Sequence, residues 1–231
     1  MINKKIVIGL LALNLRKRNK KYILENSKFS GYKDVETKVD KTIQDMIDNF
    51  YKTYKILSVD KLKDELIIMK AEEEKLTLEK KEYILKVLTY NGILDEFNQV
   101  IKKNKADIKI DINKLILLID QVSIIVRNLK SKYNLARPRY LAKQLNINLN
   151  PYLKKHSSSA FPSGTSTVMY SIAYTLSKIN PKGKNNYLKK AEEISYCRVL
   201  SGVHYPSDIY YGKILAEEIS KIIDFDLENN I

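Results

Sequence analysis

The chain has 231 residues, 44% of them hydrophobic, and no Gly/Ser- or Pro-rich linker divides it, so we expect one domain spanning residues 1–231. Seven glycines and five prolines are too few for a sandwich or barrel with many tight turns, and the composition favours an all-α fold. The net charge of +14 comes mostly from scattered lysines, and with no nucleic-acid-binding motif or zinc spacing it does not indicate a nucleic-acid partner.

Residues 1–30 form a basic and apolar N-terminal segment. Seven Lys or Arg residues precede the first acid, Glu25, and they flank the apolar run 6-IVIGLLALNL-15. That run is shorter than the roughly 20 residues needed to span a bilayer. Three interpretations stay open: a weak signal sequence, peripheral contact with an anionic membrane, or a first helix with solvated basic flanks. The single cysteine, Cys197, excludes an internal disulfide, so the simplest predicted location is the cytoplasm.

Residues 31–113 carry helical patterns without a chemical motif, and we interpret them as a helical scaffold. Apolar residues recur every three or four positions from Val35 to Leu57, which predicts a helix that Asp34 would cap. Further helices are predicted at about 60–75, 78–90 and 93–103, with Asn91-Gly92 as a helix stop. The isolated alternating stretch 108-IKIDI-112 is expected to be a connector.

Residues 114–225 show stronger periodicity and form the predicted core. A wide apolar stripe from Leu115 to Leu129 indicates a helix that ends at Lys130. The chain then leaves this helix, because Pro138 forces Arg137 out of helical geometry.

Three more helices are predicted in this core. They begin at Ser163, at about 187, and at Ser207 or Asp208, and the last one ends near 223. The turn 162-PSG-164 opens the first of them. Because the N–H groups and the positive dipole end of a helix point outward at its start, this turn predicts an anion site.

Arginine and histidine are rare in this lysine-rich chain, so their positions carry information. Arg137 follows the helix-terminal Lys130, Arg198 lies near the end of a helix, and His204 lies in the next loop, four residues before Asp208. Arginine offers bidentate hydrogen bonds and lysine a point charge, which together suit a phosphate oxyanion. The His204 imidazole is the only obvious nucleophile.

These residues form three gapped motifs in a fixed order: Lys130-x6-Arg137-Pro138, Pro162-Ser163-Gly164 and Arg198-x5-His204-x3-Asp208. The order and spacing resemble the signature motifs of the type 2 phosphatidic acid phosphatase (PAP2) superfamily, which includes class A acid phosphatases and vanadium haloperoxidases. The motifs lie within residues 130–208, about a third of the chain. The resemblance implies a single-domain helical bundle of the PAP2/haloperoxidase type with a phosphohydrolase site that needs no metal and no cofactor.

The resemblance also implies a role for each motif residue. The cationic side chains of Lys130, Arg137 and Arg198 would hold the phosphoryl oxygens, together with the Ser163 hydroxyl and the Gly164 N–H group. The His204 imidazole would attack phosphorus to give a phosphohistidine. The Asp208 carboxylate would hold the other ring nitrogen in the required tautomer.

Two positions depart from the family pattern. Cys197 stands where the family has a serine, which weakens any hydrogen bond made there. Thr165 stands where the family has the histidine that protonates the leaving oxygen. A hydroxyl does not serve as an acid near neutral pH, and a positioned acid is worth about 10²- to 10⁴-fold in rate. The phosphate pocket is therefore predicted to be intact and the general acid to be missing.

Three explanations of Thr165 stay open: a substrate whose leaving group needs no acid, replacement by His156, or a protein that binds phosphates without hydrolysing them. The first predicts a metal-independent phosphohydrolase that favours phosphoanhydrides or activated esters. The alternatives are a peripheral membrane lipid phosphate phosphatase, suggested by the basic N-terminus, and a catalytically weakened phosphate-binding protein. A haloperoxidase is disfavoured by the same missing histidine. The expected partner is a phosphorylated small molecule or lipid, and the sequence makes no prediction of the oligomeric state.

Overall fold

The structure is a computed structural model that describes residues 39–153 and 158–228. The predictions for the segment 1–30, for Asp34 and for His156 lie outside these ranges. The helices are α1 Lys41–Thr53, α2 Val59–Glu74, α3 Leu78–Val87, α4 Tyr90–Lys103, α5 Ile112–Tyr133, α6 Pro138–Gln144, α7 Gly164–Ile179, α8 Lys184–Leu200 and α9 Pro206–Ile222.

The fold class is confirmed as all-α over the described ranges. There, the only β-type pairing is an isolated antiparallel bridge between Ile110 and Glu228, so the stretch 108–112 is a connector that leads into α5. A single 3-10 turn, Pro181–Gly183, precedes α8. Across residues 39–153 and 158–228, none of the helices combines the length and the apolar character that a membrane crossing requires.

The first predicted helix is shorter than its apolar pattern. Asp40 caps α1, because its carboxylate accepts the N–H of Ile43 at 2.9 Å. Tyr54 is extended at the other end, so Leu57 lies beyond the helix although it keeps its place in the apolar packing. The three- or four-residue spacing therefore continues past α1 at both ends, to Val39 before it and to Leu57 after it.

The prediction of a helix stop at Asn91-Gly92 was wrong. Both residues lie in the first turn of α4, where the Thr89 hydroxyl accepts the N–H of Gly92 at 3.0 Å. A Cβ on Gly92 would lie 2.0 Å from the carbonyl oxygen of Lys86. Position 92 thus requires glycine because the end of α3 approaches it closely, and not because the chain turns there.

Three boundaries near the motifs differ from the sequence prediction. Helix α5 continues past Lys130 to Tyr133 and closes on Asn134 in the left-handed conformation, with φ 47°. Arg137 is extended as predicted, with φ −64° and ψ 152°, but Pro138 then opens the short helix α6. Helix α9 starts at Pro206, because proline is well suited to the first helical position.

Helix α7 lies at the centre of the bundle and packs against α5, α8 and α9. The main hydrophobic cluster joins scaffold residues such as Phe50 and Phe97 to core residues such as Val122 and Met169. A second cluster joins Leu62, Leu66 and Met69 of α2 to Leu141, Val199, Tyr205 and Ile209. The scaffold thus shares its hydrophobic packing with the helices that carry the motifs.

Candidate active site

The starts of α7 and α9 meet at backbone distance. The Ser163 N–H donates to the carbonyl of Asp208 at 3.0 Å, and the Ser166 hydroxyl donates to the carbonyl of Ile209 at 2.7 Å. Gly212 makes this approach possible, because a Cβ there would lie 2.7 Å from the Cβ of Ser166. The second and third motifs are therefore held together by main-chain contacts.

The loop after α8 turns back sharply to position His204. Gly202 adopts φ +75°, and a Cβ at this residue would lie 2.9 Å from the Cβ of Pro151. The N–H groups of Val203 and His204 both donate to the carbonyl of Arg198, at 3.2 and 3.3 Å. This turn places the imidazole against the end of the helix that carries Arg198, and the ring is buried.

The hydrogen bonds of His204 fix its tautomer. Its Nδ1 lies 2.9 Å from Oδ2 of Asp208, and its Nε2 lies 2.8 Å from Nη1 of Arg137. A guanidinium only donates hydrogen bonds, so Nε2 is the acceptor and the ring proton is on Nδ1. The lone pair of Nε2 therefore points toward the Arg137 guanidinium, where an anion would also bind.

The Asp208 carboxylate is fully buried, and one of its oxygens accepts two hydrogen bonds. Its Oδ2 accepts from Nδ1 of His204 and from the Tyr205 N–H, both at 2.9 Å. Among residues 39–153 and 158–228, no hydrogen-bond donor reaches Oδ1. Burial raises the pKa of Asp208 to about 7, and the positive charges of Lys130 and Arg137 oppose this increase.

Lys130 is buried beside the loop that precedes the Pro-Ser-Gly turn. Its Nζ donates to the carbonyl of Ser159 and, at 3.2 Å, to the carbonyl of Ala160. Burial and then the positive charge of Arg137 lower the pKa of Lys130 well below its ordinary value. The Ala160 N–H in turn donates to the Leu135 carbonyl at 2.8 Å, which ties this loop to the end of α5.

Arg137 connects this loop to the loop that carries His204. Its Nε donates to the Ser158 carbonyl at 2.9 Å, its Nη2 to the Ser158 hydroxyl at 3.0 Å, and its Nη1 to the Val203 carbonyl at 2.8 Å. Burial lowers the pKa of Arg137 to about 10, and burial likewise lowers the pKa of Arg198 to about 10. Three buried cations that repel one another form a region that an anion would stabilise.

The start of α7 adds helix donors to these cations. The Ser163 hydroxyl accepts the N–H of Ser166 at 3.3 Å and so caps the helix. Gly164 and Thr165 are half-buried at the first and second helical positions. N–H groups at these positions have no acceptor within a helix, so they are available to an external anion. Thr165, which the sequence predicts to stand in place of a family histidine, follows Gly164 in this turn.

Three other residues near the motifs lie outside this cluster. Cys197 is buried, its thiol donates to the Glu193 carbonyl at 3.3 Å, and burial raises the pKa of the thiol. Arg127 is exposed, and the guanidinium of Arg139 stacks on the Tyr140 ring, 4.3 Å from its centre. Within the described part of the chain, no three His, Cys, Asp or Glu side chains come together as a metal site.

Two residues in contact with the site were missed at the sequence level. Ser158 contacts Arg137 with both its carbonyl and its hydroxyl, and the run 157-SSS-159 was a visible but unspecific signal. Glu65 of α2 contacts Ser207, the residue before Asp208, across 142 positions of sequence. No local pattern points to a contact of that range.

The comparison with known proteins agrees with these motifs. The family model of the PAP2 superfamily matches residues 113–223, from the first turn of α5 to the residue after α9. This stretch of the chain therefore matches the PAP2 superfamily, and the resemblance predicted from the three motifs is confirmed.

Two known proteins illustrate the similarity. A non-specific acid phosphatase of Providencia stuartii is 30% identical over 128 residues, which are 54% of this chain and 50% of that protein. The chain thus matches half the length of this curated relative. The crystal structure of a transmembrane PAP2-type phosphatidylglycerolphosphate phosphatase from Bacillus subtilis aligns with 89% of this chain and 96% of that one, at 15% identity and a TM-score of 0.36.

Proposed function

We propose that the protein is a phosphohydrolase of the PAP2 type that forms a phosphohistidine on His204 and uses no metal. The observation that carries this proposal is the imidazole itself. Its Nδ1 proton is held by Asp208, and its Nε2 lone pair is directed at the Arg137 guanidinium. An oriented neutral imidazole beside buried cations is a nucleophile placed next to an oxyanion site.

Substrate binding exchanges one set of acceptors for another. The donors of Lys130 and Arg137 are directed at main-chain carbonyl oxygens and at Nε2 of His204. The phosphoryl oxygens of a substrate would take these donors, because a charged oxygen forms shorter and stronger hydrogen bonds than a carbonyl. When Arg137 turns to the phosphoryl group, it also frees the lone pair of His204.

The first chemical step forms a nitrogen–phosphorus bond. Nε2 of His204 supplies its electron pair to phosphorus, and the bond to the leaving oxygen breaks with its electron pair on that oxygen. The imidazole gains positive charge, which the Asp208 carboxylate stabilises through Nδ1. Lys130, Arg137 and Arg198 stabilise the charge on the phosphoryl oxygens, with the Gly164 N–H as a further donor.

The second step restores the enzyme. A water oxygen attacks phosphorus, the nitrogen–phosphorus bond breaks with its electron pair on Nε2, and inorganic phosphate leaves. The water loses one proton to solvent or to the departed leaving group, so atoms and charge balance over the cycle. Asp208 keeps the Nδ1 tautomer throughout, which leaves Nε2 ready for another turnover.

Thr165 determines the proposed substrate class. A threonine hydroxyl does not protonate a leaving alkoxide near neutral pH, so this site suits leaving groups that are stable as anions. Phosphoanhydrides and activated or aryl esters meet this requirement, whereas simple alkyl phosphates do not. His156 as a replacement acid stays a prediction, and its residue lies outside the described ranges.

The test of the proposed function is a phosphatase panel on the purified full chain with excess chelator. We expect turnover of nitrophenyl phosphate and of a diphosphate, slower turnover of an alkyl phosphate, and an acid-labile phosphoenzyme on rapid quench. The His204→Ala variant should lose turnover and the phosphoenzyme, and Arg127→Ala, the control at an exposed residue of α5 outside the site, should keep both. Fastest turnover of the alkyl ester would refute the leaving-group argument.

A second candidate is a lipid phosphate phosphatase at a membrane surface, favoured by the basic segment 16-RKRNKK-21. Flotation with anionic liposomes, with and without residues 1–21, tests this candidate. Flotation that depends on these residues, together with hydrolysis of a lipid phosphate in the vesicles, would support it. A protein that binds phosphate but yields no phosphoenzyme would instead be the non-catalytic binder.

A further inference from the structure

Glu65 of α2 makes a two-point contact with the start of α9. Its Oε1 accepts the Ser207 N–H at 3.0 Å, and its Oε2 accepts the Ser207 hydroxyl at 2.7 Å. Ser207 occupies the second position of α9, where the N–H has no acceptor within the helix. A carboxylate is favourable there, because it meets both the free donor and the positive end of the helix dipole.

The same helix turn holds the carboxylate that orients His204. Asp208 is the third residue of α9, directly after Ser207, and its Oδ2 accepts from both Tyr205 N–H and His204 Nδ1. A shift of this turn would therefore move Asp208 and rotate the imidazole. Glu65 of α2 thus contacts the turn through Ser207, and Asp208 within the turn contacts the imidazole.

Helix α2 is firmly seated where Glu65 projects from it. Leu62 and Leu66, which flank Glu65 along the helix, are buried in the cluster that also contains Tyr205 and Ile209. The Glu65 side chain is half-buried. Burial raises the pKa of its carboxyl group, and the hydrogen bonds from Ser207 partly oppose this increase. The pKa of Asp208 is raised mainly by burial, and the negative charge of Glu65 raises it further, so this charge acts on the site.

We infer that Glu65 is a positioning residue, through which the scaffold helix α2 fixes the start of α9 and hence the His204–Asp208 pair. This inference rests on the proposed function for its kinetic consequence. Glu65 lies outside residues 113–223, the stretch that matches the family model. The scaffold therefore contributes a specific contact to the site in addition to its apolar packing.

The test compares Glu65→Ala with Glu73→Ala in the full chain. Glu73 is the matched control: it lies on the same helix and also accepts a distant backbone N–H, that of Asn150 at 3.1 Å. Glu65→Ala should lower kcat for nitrophenyl phosphate by about 10-fold with KM changed less than 2-fold, because misplacement of a nucleophile affects chemistry more than binding. Glu73→Ala should leave kcat at the wild-type value.

A second readout does not depend on turnover. The chain has two histidines, so 15N-histidine labelling gives two sets of ring signals, which a His204→Ala variant assigns. Glu65→Ala should shift the Nδ1–H signal of His204 and leave that of His156 unchanged. Glu65→Gln should restore both this signal and most of kcat, because its amide oxygen still accepts the Ser207 N–H.

The two readouts separate this inference from the proposed function. If wild-type protein hydrolyses no phosphate, the proposed function fails, and the ring signals alone test the role of Glu65. Identical His204 ring signals in wild type, Glu65→Ala and Glu73→Ala would overturn the inference, whether or not the protein is a phosphatase.

Discussion

Replacement of Thr165 by histidine tests the leaving-group argument directly. Thr165 is the second residue of α7, next to Gly164, and it is half-buried. A histidine at this position would supply the proton donor that the leaving oxygen lacks. The variant should therefore gain activity only on substrates that need this proton.

The size of the gain follows from the electrostatics of the site. A positioned general acid contributes about 10²- to 10⁴-fold. The introduced imidazole would lie in the first turn of α7, where the positive end of the helix dipole disfavours its protonated form and lowers its pKa. We therefore expect the lower end, about 100-fold at pH 5, with the gain declining as the pH rises and the imidazole loses its proton.

The assay measures kcat/KM for an alkyl phosphate and for nitrophenyl phosphate, at pH 5 and pH 8. The Thr165→His variant should gain strongly on the alkyl ester at pH 5 and only slightly on the nitrophenyl ester, whose leaving group is already stable. Thr165→Asn is the control, because its side chain is similar in size to histidine but does not act as an acid. An equal gain on both esters, or the same gain in Thr165→Asn, would refute the reasoning.

Three further predictions concern the geometry around this turn. The raised pKa of Asp208 gives stability that is present below its unfolded pKa, about 3.9, and is lost as the pH rises through about 7. The free energy of unfolding of Asp208→Asn relative to wild type, measured in urea, should therefore rise as the pH is raised from 4 to 8, while turnover falls. A relative free energy that does not change with pH would contradict the raised pKa. Gly212→Ala should lower the free energy of unfolding by about 1–3 kcal/mol, because its Cβ would lie 2.7 Å from that of Ser166. Gly164→Ala is the control, because the nearest neighbour of its Cβ would lie at 3.4 Å, and it should lower the stability less in thermal denaturation. Equal losses of stability in the two variants would count against the close-approach argument. Arg137→Lys should lower kcat at least about 10²-fold, because one ammonium group does not replace a planar fork of donors, and turnover near wild type in the nitrophenyl phosphate assay would disprove this.

The core of the site could be predicted from the sequence because each motif is local. His204 and Asp208 are four residues apart, which on a loop leading into a helix start brings the two side chains together. Ser163 and Gly164 lie at a helix start that the apolar pattern had already indicated. In each case the spacing along the chain determines the spacing in the structure.

What the sequence did not predict depends on contacts between distant segments. The contact between Glu65 and Ser207 joins two helices that have no shared pattern. Gly92 was read as a helix stop, because its conformational freedom is visible in the sequence and the nearby Lys86 carbonyl is not. Apolar periodicity likewise continued past Tyr54 to Leu57, since both side chains are packed although neither lies in a helix.

The carbonyl groups that contact Lys130 and Arg137 have a consequence for the end of the proposed catalytic cycle. Inorganic phosphate is itself an anion, and a pocket of bare buried cations would retain it and stall turnover. Here the carbonyls of Ala160 and Val203 lie within hydrogen-bond distance of these cations. In the proposed cycle they would replace the departing phosphate as acceptors, so that Lys130 and Arg137 would keep a partner. We therefore expect the loops around the site to favour product release and to reduce product inhibition.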